Sequence, residues 1–148
     1  MFVSCASDKE TYKIMTYNIR YDNPNDGENK WYNRKEYLCD QIRYNEVDIL
    51  GIQEGLHHQV KYLDSVFTDY SYVGIGRDDG KTKGEYSAIF YNNKKFEVVE
   101  QSTFWLSKTP NKISVGWDAS MERICTYGLF KKKLQSNNFM FSTHILII

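Results

Sequence analysis

Two polar side chains stand where strand patterns run out. Asn18 closes the alternating run Tyr12-Lys-Ile-Met-Thr-Tyr-Asn-Ile19, and Glu54 follows the short apolar run Val47-Asp-Ile-Leu-Gly-Ile-Gln53. Ligands of open α/β sheets gather at such strand ends. A carboxamide and a carboxylate offer hard oxygens, which suit a Mg²⁺ ion that keeps most of its waters and takes further oxygens from a substrate phosphate. The competing reading is structural, because strand-end Asn and Glu side chains also bond the loops that follow them. His57 and His58 come next in the chain, but neighbouring helical residues diverge around the axis and do not make a ligand pair. Cys5, Cys39 and Cys125 are odd in number and lack the paired spacing of a zinc or redox site. The cluster Lys131-Lys-Lys133 reads as a solvated strand end or turn.

The elements that must position these groups follow from periodicity. After the first strand, Tyr21 to Lys30 is rich in Asn, Asp, Pro and Gly and predicts a loop. Leu38 and Ile42 recur at helical spacing between Trp31 and Tyr44. Val47 to Gln53 predicts a buried parallel-type strand, and a second helix runs from about Leu56 to Phe67 with Val60, Leu63 and Phe67 on one face. Strands are then predicted at Tyr70 to Gly76, Glu85 to Tyr91, Phe96 to Leu106, Ile124 to Lys132 and from Asn138 to the end. Asp78-Asp-Gly-Lys-Thr-Lys-Gly84 reads as a turn. Two helices interleaved with strands, followed by antiparallel-looking strands, make the fold class α/β.

Composition bounds the rest. The 148 residues, 41% hydrophobic and 16% aromatic with only two prolines, suffice for one ordered domain or part of one. Nineteen basic residues balance nineteen acidic ones, so there is no specific nucleic-acid signal and any phosphate recognition must be local. Phe2-Val3-Ser4-Cys5 is similar to the end of a bacterial lipoprotein signal, which gives residues 1–11 the character of a leader remnant or a disordered start. With an upstream leader ending at Cys5, the expected location is the envelope, as a secreted lipoprotein.

Several motifs occur in an order that carries a family resemblance. Met15-Thr-Tyr-Asn18-Ile19-Arg20 and Asp48-Ile-Leu-Gly-Ile-Gln53-Glu54 resemble the first two motifs of the endonuclease/exonuclease/phosphatase family, which is deoxyribonuclease I-like. Trp31 and Arg34 match its Trp-x-x-Arg helix start. Phe104-Trp-Leu-Ser-Lys-Thr-Pro110, Gly116-Trp-Asp-Ala119 and Glu122-Arg-Ile-Cys-Thr126 are similar to a segment of secreted and lipoprotein-type bacterial members, and Phe141-Ser-Thr-His144 to an Asn-Thr-His strand end. The resemblance implies a hydrolase that uses Mg²⁺, with Mn²⁺ as the second candidate, to direct water at the phosphorus of a phosphoester. It implies that Glu54 is the metal ligand and that Asn18 positions the metal or the phosphate. Arg123 would stabilise charge on a phosphate oxygen, and His144 would donate a hydrogen bond or proton beside it. Without the motifs, Arg123 reads as a surface strand residue and His144 as a core histidine.

Beyond His144 the sequence departs from the family pattern. Ile145-Leu-Ile-Ile148 stands where Asp-His commonly follows, and the later Gly-Asp-Phe-Asn-like and Ser-Asp-His segments have no counterpart. The expected fold is therefore a partial deoxyribonuclease I-like α/β sandwich over residues 12–148, a mixed sheet with flanking helices and a second sheet largely missing. An uncovered sheet face and edge predict self-association. They also predict impaired hydrolysis, or, as the alternative, a non-catalytic remnant that needs a partner.

Overall fold

The computed structural model describes residues 11–133 and, as backbone, residues 142–147. Residues 1–10 of the predicted leader remnant (1–11), with Cys5, the start of the last predicted strand at 138–141, and the side chain of His144 lie outside the described residues.

The order is β1 (Ile14–Asn18), a 3-10 turn (Gly27–Asn29), α1 (Trp31–Tyr44), β2 (Ile49–Gly55), α2 (His57–Val66), β3 (Tyr70–Val73), β4 (Tyr86–Asn92), β5 (Phe96–Trp105), β6 (Ile124–Lys132) and β7 (Ser142–Ile147). Four strands form a mixed sheet in the order β1-β2-β4-β3, and three form a smaller antiparallel sheet in the order β5-β6-β7. β1 runs parallel to β2 through the α1 crossover, while β4 is antiparallel to both of its neighbours.

Alternation within the central strands decides what each face meets. Leu50, Ile52, Ala88 and Phe90 point to one side and pack with Leu38 and Ile42 of α1 and Val60 and Leu63 of α2. Ile49 and Ile89 point to the other side and pack with Phe96 and Phe130 of the second sheet. β2 and β4 are buried on both faces, which is why their sequences are near-continuous apolar runs. The result is a helical layer, a mixed sheet and a small second sheet, as expected of a partial sandwich. Neither helix is long and apolar enough to cross a membrane.

β3 stops at Val73, short of the predicted Gly76. Gly74 turns out of the strand with φ +130°, and a Cβ there would meet the Ala88 Cα at 3.0 Å. α2 starts with a polar clamp. Gln59, fully buried, accepts the Leu56 and Asp22 amides on Oε1, each at 3.0 Å, and donates from Nε2 to the Arg20 carbonyl at 3.0 Å. One side chain thus caps the helix and pins the loop after β1.

Candidate active site

The parallel strands β1 and β2 end side by side, with Asn18 opposite Gln53. The pairing of β2 with β4 shifts register between Ile52 and Gly55, and within that bulge Glu54 takes a left-handed backbone with φ 62°. Such a conformation is costly for a residue with a Cβ and turns the side chain away from plain alternation. Glu54 and Asn18 meet as a result. Asn18 Nδ2 donates to Glu54 Oε1 at 2.8 Å, and Asn18 Oδ1 accepts the Arg20 amide at 2.9 Å. Gln53 Nε2 donates to Thr16 Oγ1 at 3.0 Å, closing the same edge.

The loop beyond Asn18 is held by Arg34. Its guanidinium donates to the carbonyls of Ile19, of Arg20 at 2.6 Å and of Asn29 at 2.9 Å, and it lies 5.2 Å from the centre of the Trp31 ring. Burial pushes the pKa of Arg34 down from the usual arginine value. The Trp-x-x-Arg pattern thus acts as a brace behind the site. Arg20 pairs with Asp26 through two bonds, at 2.6 and 2.7 Å, which holds the Asp26 carboxyl below its ordinary range.

A cleft of about 340 Å³ opens at this end of the sandwich, lined by Asn18, Gln53, Glu54, Arg77, Glu85, Ser87, Leu106, Arg123 and Ile124. Both sheets contribute. Asn18, Glu54 and Arg123, three of the four residues singled out in the sequence, come together here. Arg123 is exposed at the start of β6, and its carbonyl accepts the Leu106 amide at 2.7 Å, closing the base of the loop between β5 and β6. The backbone of the fourth, His144 of β7, lies opposite Leu129 of β6.

Sequence reading missed Arg77, Glu85 and Ser87 as cleft residues. Arg77 and Glu85 flank the turn Asp78–Gly84, whose own composition gave the only visible signal. His57 and His58 have separate partners, the Tyr86 hydroxyl and Asp22, each at 2.9 Å.

Among the described residues no three His, Cys, Asp or Glu side chains converge, which does not match a zinc centre. A single carboxylate, with Oε1 oriented by Asn18 and Oε2 meeting no donor among the described residues, fits a hard cation that retains most of its waters.

A sequence model of the Endonuclease/Exonuclease/phosphatase family matches residues 15–111, which span Asn18, Glu54, Arg77 and Glu85. The fold is similar to an endonuclease/exonuclease/phosphatase from Bacteroides vulgatus, with a TM-score of 0.82 and 44% identity over 88% of this chain and 50% of that one. It is also similar to a mannosyl-6-phosphatase from Bacteroides thetaiotaomicron, with a TM-score of 0.84 and 42% identity over 92% of this chain and 51% of that one. A Ccr4-Not complex 3'-5'-exoribonuclease subunit from Mycosarcoma maydis is 26% identical over 63% of this chain and 17% of its own length. The chain thus spans about half the length of these solved relatives.

Proposed function

We propose that this chain, which belongs to the endonuclease/exonuclease/phosphatase family, forms the part of a Mg²⁺-dependent phosphoester hydrolase site that holds cation and phosphate. The family is one of phosphoesterases, including nucleases and phosphatases. The observation that carries the finer reading is the bond from Asn18 to Glu54 inside a cleft that also holds Arg123. Likeness to a mannosyl-6-phosphatase at 42% identity favours a phosphomonoester, with a sugar phosphate as the substrate class.

In this reading Glu54 holds the cation, with Mn²⁺ as an alternative to Mg²⁺. Once bound, the cation would neutralise phosphate charge and polarise a phosphoryl oxygen. Asn18 fixes the Glu54 carboxylate, so little reorganisation is needed when charge develops. Arg123, which lines the same cleft and whose guanidinium meets no acceptor among the described residues, would take a second phosphoryl oxygen as water attacks phosphorus in line. His144 is assigned its proton-donating role by its motif alone.

A second reading is a fragment without hydrolytic activity that associates through its uncovered face. Ile14 favours it, since it lies 57% exposed on the face of β1 shared with Thr16 and Asn18. One experiment separates the two. The purified 148-residue chain is offered a phosphomonoester and a phosphodiester with Mg²⁺, with EDTA, and as Glu54→Ala. Hydrolysis abolished by EDTA and by the substitution supports the hydrolase. Activity surviving in Glu54→Ala removes Glu54 as the metal ligand, and a folded, associated and inactive sample supports the second reading.

A further inference from the structure

The loop between β3 and β4 carries an ion pair that the proposed reaction does not yet use. Arg77 donates from Nη1 to Glu85 Oε2 at 2.9 Å and from Nη2 to Glu85 Oε1 at 3.3 Å, a two-pronged pair. Only 14% of the Arg77 side chain and 24% of that of Glu85 is exposed, yet both line the cleft with Asn18, Glu54 and Arg123.

The loop holds its shape without a ligand. The Arg77 amide donates to the Glu85 carbonyl at 3.2 Å and the Asp78 amide to the Lys83 carbonyl at 3.0 Å. Asp79 Oδ1 takes the amides of Lys81 at 2.8 Å and Lys83 at 2.9 Å. Trp105 of the second sheet donates its indole N–H to the Arg77 carbonyl at 2.9 Å. The guanidinium is therefore presented from a fixed backbone.

Its donors are nonetheless poorly matched. Nε is buried without a hydrogen-bond acceptor and makes only a long ion pair with Asp78 Oδ1 at 3.5 Å. Nη2 also faces the sulfur of Met121 at 3.2 Å. A thioether is a weak acceptor, and leaving the donors of a charged group poorly paired is unfavourable. Stability alone gives no reason for such an arrangement. An anion whose oxygen replaces the sulfur does.

We propose that Arg77, braced by Glu85, is a second phosphate-binding guanidinium of the cleft and that it makes the site selective for the terminal phosphate of a monoester over a diester. The inference rests on the reading of the cleft as a phosphoester site. A monoester has three non-bridging oxygens, one each for the cation at Glu54, for Arg123 and for Arg77. A diester has only two, so one of these three partners goes unmet.

The test is calorimetric binding of phenyl phosphate and diphenyl phosphate to the 148-residue chain loaded with Ca²⁺ in place of Mg²⁺, so that the cation partner is present, with turnover excluded by the absence of released phenol. Arg77→Lys keeps the charge but loses the planar fork. The double substitution Arg77→Met with Glu85→Met removes both members of the pair and strands neither charge. In either variant phenyl phosphate should bind roughly tenfold more weakly, the effect of a lost hydrogen bond between charged groups, and diphenyl phosphate should change less than about threefold. Equal weakening of both ligands overturns the selectivity. Unchanged phenyl phosphate binding in whichever variant keeps the wild-type circular dichroism overturns the inference, while the hydrolase reading stands. A wild-type chain that binds neither ligand, with Ca²⁺ or with Mg²⁺, overturns the reading of the cleft itself.

Discussion

Replacing Asn18 by Ala tests whether Glu54 is a cation ligand held in place by its neighbour. The substitution removes the 2.8 Å bond from Asn18 Nδ2 to Glu54 Oε1 and leaves that carboxylate free to rotate. A hydrogen bond to a charged group contributes about 1.5–3 kcal/mol, and the exposure of this pair places it at the low end. Loss of about 1.4 kcal/mol of orientation weakens divalent cation binding roughly tenfold, the lower bound of what residues behind a metal ligand contribute. At a Mg²⁺ concentration about a hundred times the wild-type dissociation constant, bound cation stabilises the native chain by ~2.7 kcal/mol. The variant under the same conditions gains only ~1.4 kcal/mol. For a chain of this size the difference lowers the Mg²⁺-induced rise in melting temperature by about 3–5 °C. Asn18→Asp is the informative partner, since it keeps an acceptor for the Arg20 amide while exchanging the donor for a second negative oxygen. Its cation affinity should rise, although its metal-free stability falls through repulsion from Glu54. Equal Mg²⁺-induced melting shifts in Asn18→Ala and wild type would refute the argument, because Glu54 would then need no orientation or bind no cation.

Two further outcomes follow from the loop and the core around the cleft. A Cβ at Gly116 would lie 2.1 Å from the Leu106 carbonyl oxygen and 2.5 Å from the Ser107 Cα, backbone atoms that cannot step aside cheaply. Gly116→Ala should cost about 1–3 kcal/mol in urea melts and open the loop between β5 and β6 to proteolysis, whereas an unchanged cleavage pattern would show that the loop does not depend on this contact. Burial pushes the Tyr86 phenol up to about 12, against about 10 in an unfolded chain. The native state then keeps a proton that the unfolded state has lost, so this contribution is complete below about pH 10 and falls as pH rises toward 12. Tyr86→Phe has no such proton, and the stability advantage of wild type over it, read from urea melts, should shrink between about pH 8 and about pH 11. A constant difference would refute the shift.

What sequence could and could not reveal divides along a physical line. α1 spans Trp31–Tyr44 and β6 spans Ile124–Lys132, as periodicity predicts, because each is fixed by side chains meeting one neighbouring surface. Asn18, Glu54 and Arg123 were legible through motifs, and strand ends alone would have suggested the first two. The left-handed turn of Glu54 was not legible, since nothing in Gln53-Glu54-Gly55 marks the bulge except the glycine after it. Nor was Arg77. Its loop composition announces a turn so strongly that the charged residues at its ends pass for solvated ones, and only the fold brings Glu85 and Trp105 against them.

The cleft depends on the packing of two sheets as much as on any one side chain. Asn18, Glu54, Arg77 and Glu85 come from the ends of the mixed sheet, whereas Leu106, Arg123 and Ile124 come from the smaller one. The separation of these groups is set by the layer in which Ile49 and Ile89 meet Phe96 and Phe130, at the roughly 10 Å spacing of stacked sheets. Within β6, Gly128 leaves the room that the Phe130 ring takes in that layer. Gly128 lies so close to the Phe130 ring that a Cβ would stand 2.5 Å from it. Toward the cleft the same inner faces change from apolar side chains to Ser87, Gln53, Glu54 and Asn18, so a ligand entering there exchanges water for fixed polar groups without disturbing the core. At about 340 Å³ the space falls at the small end for ligand pockets. In the proposed reading that volume takes the phosphoryl group and a compact leaving group, and anything larger lies outside the cleft.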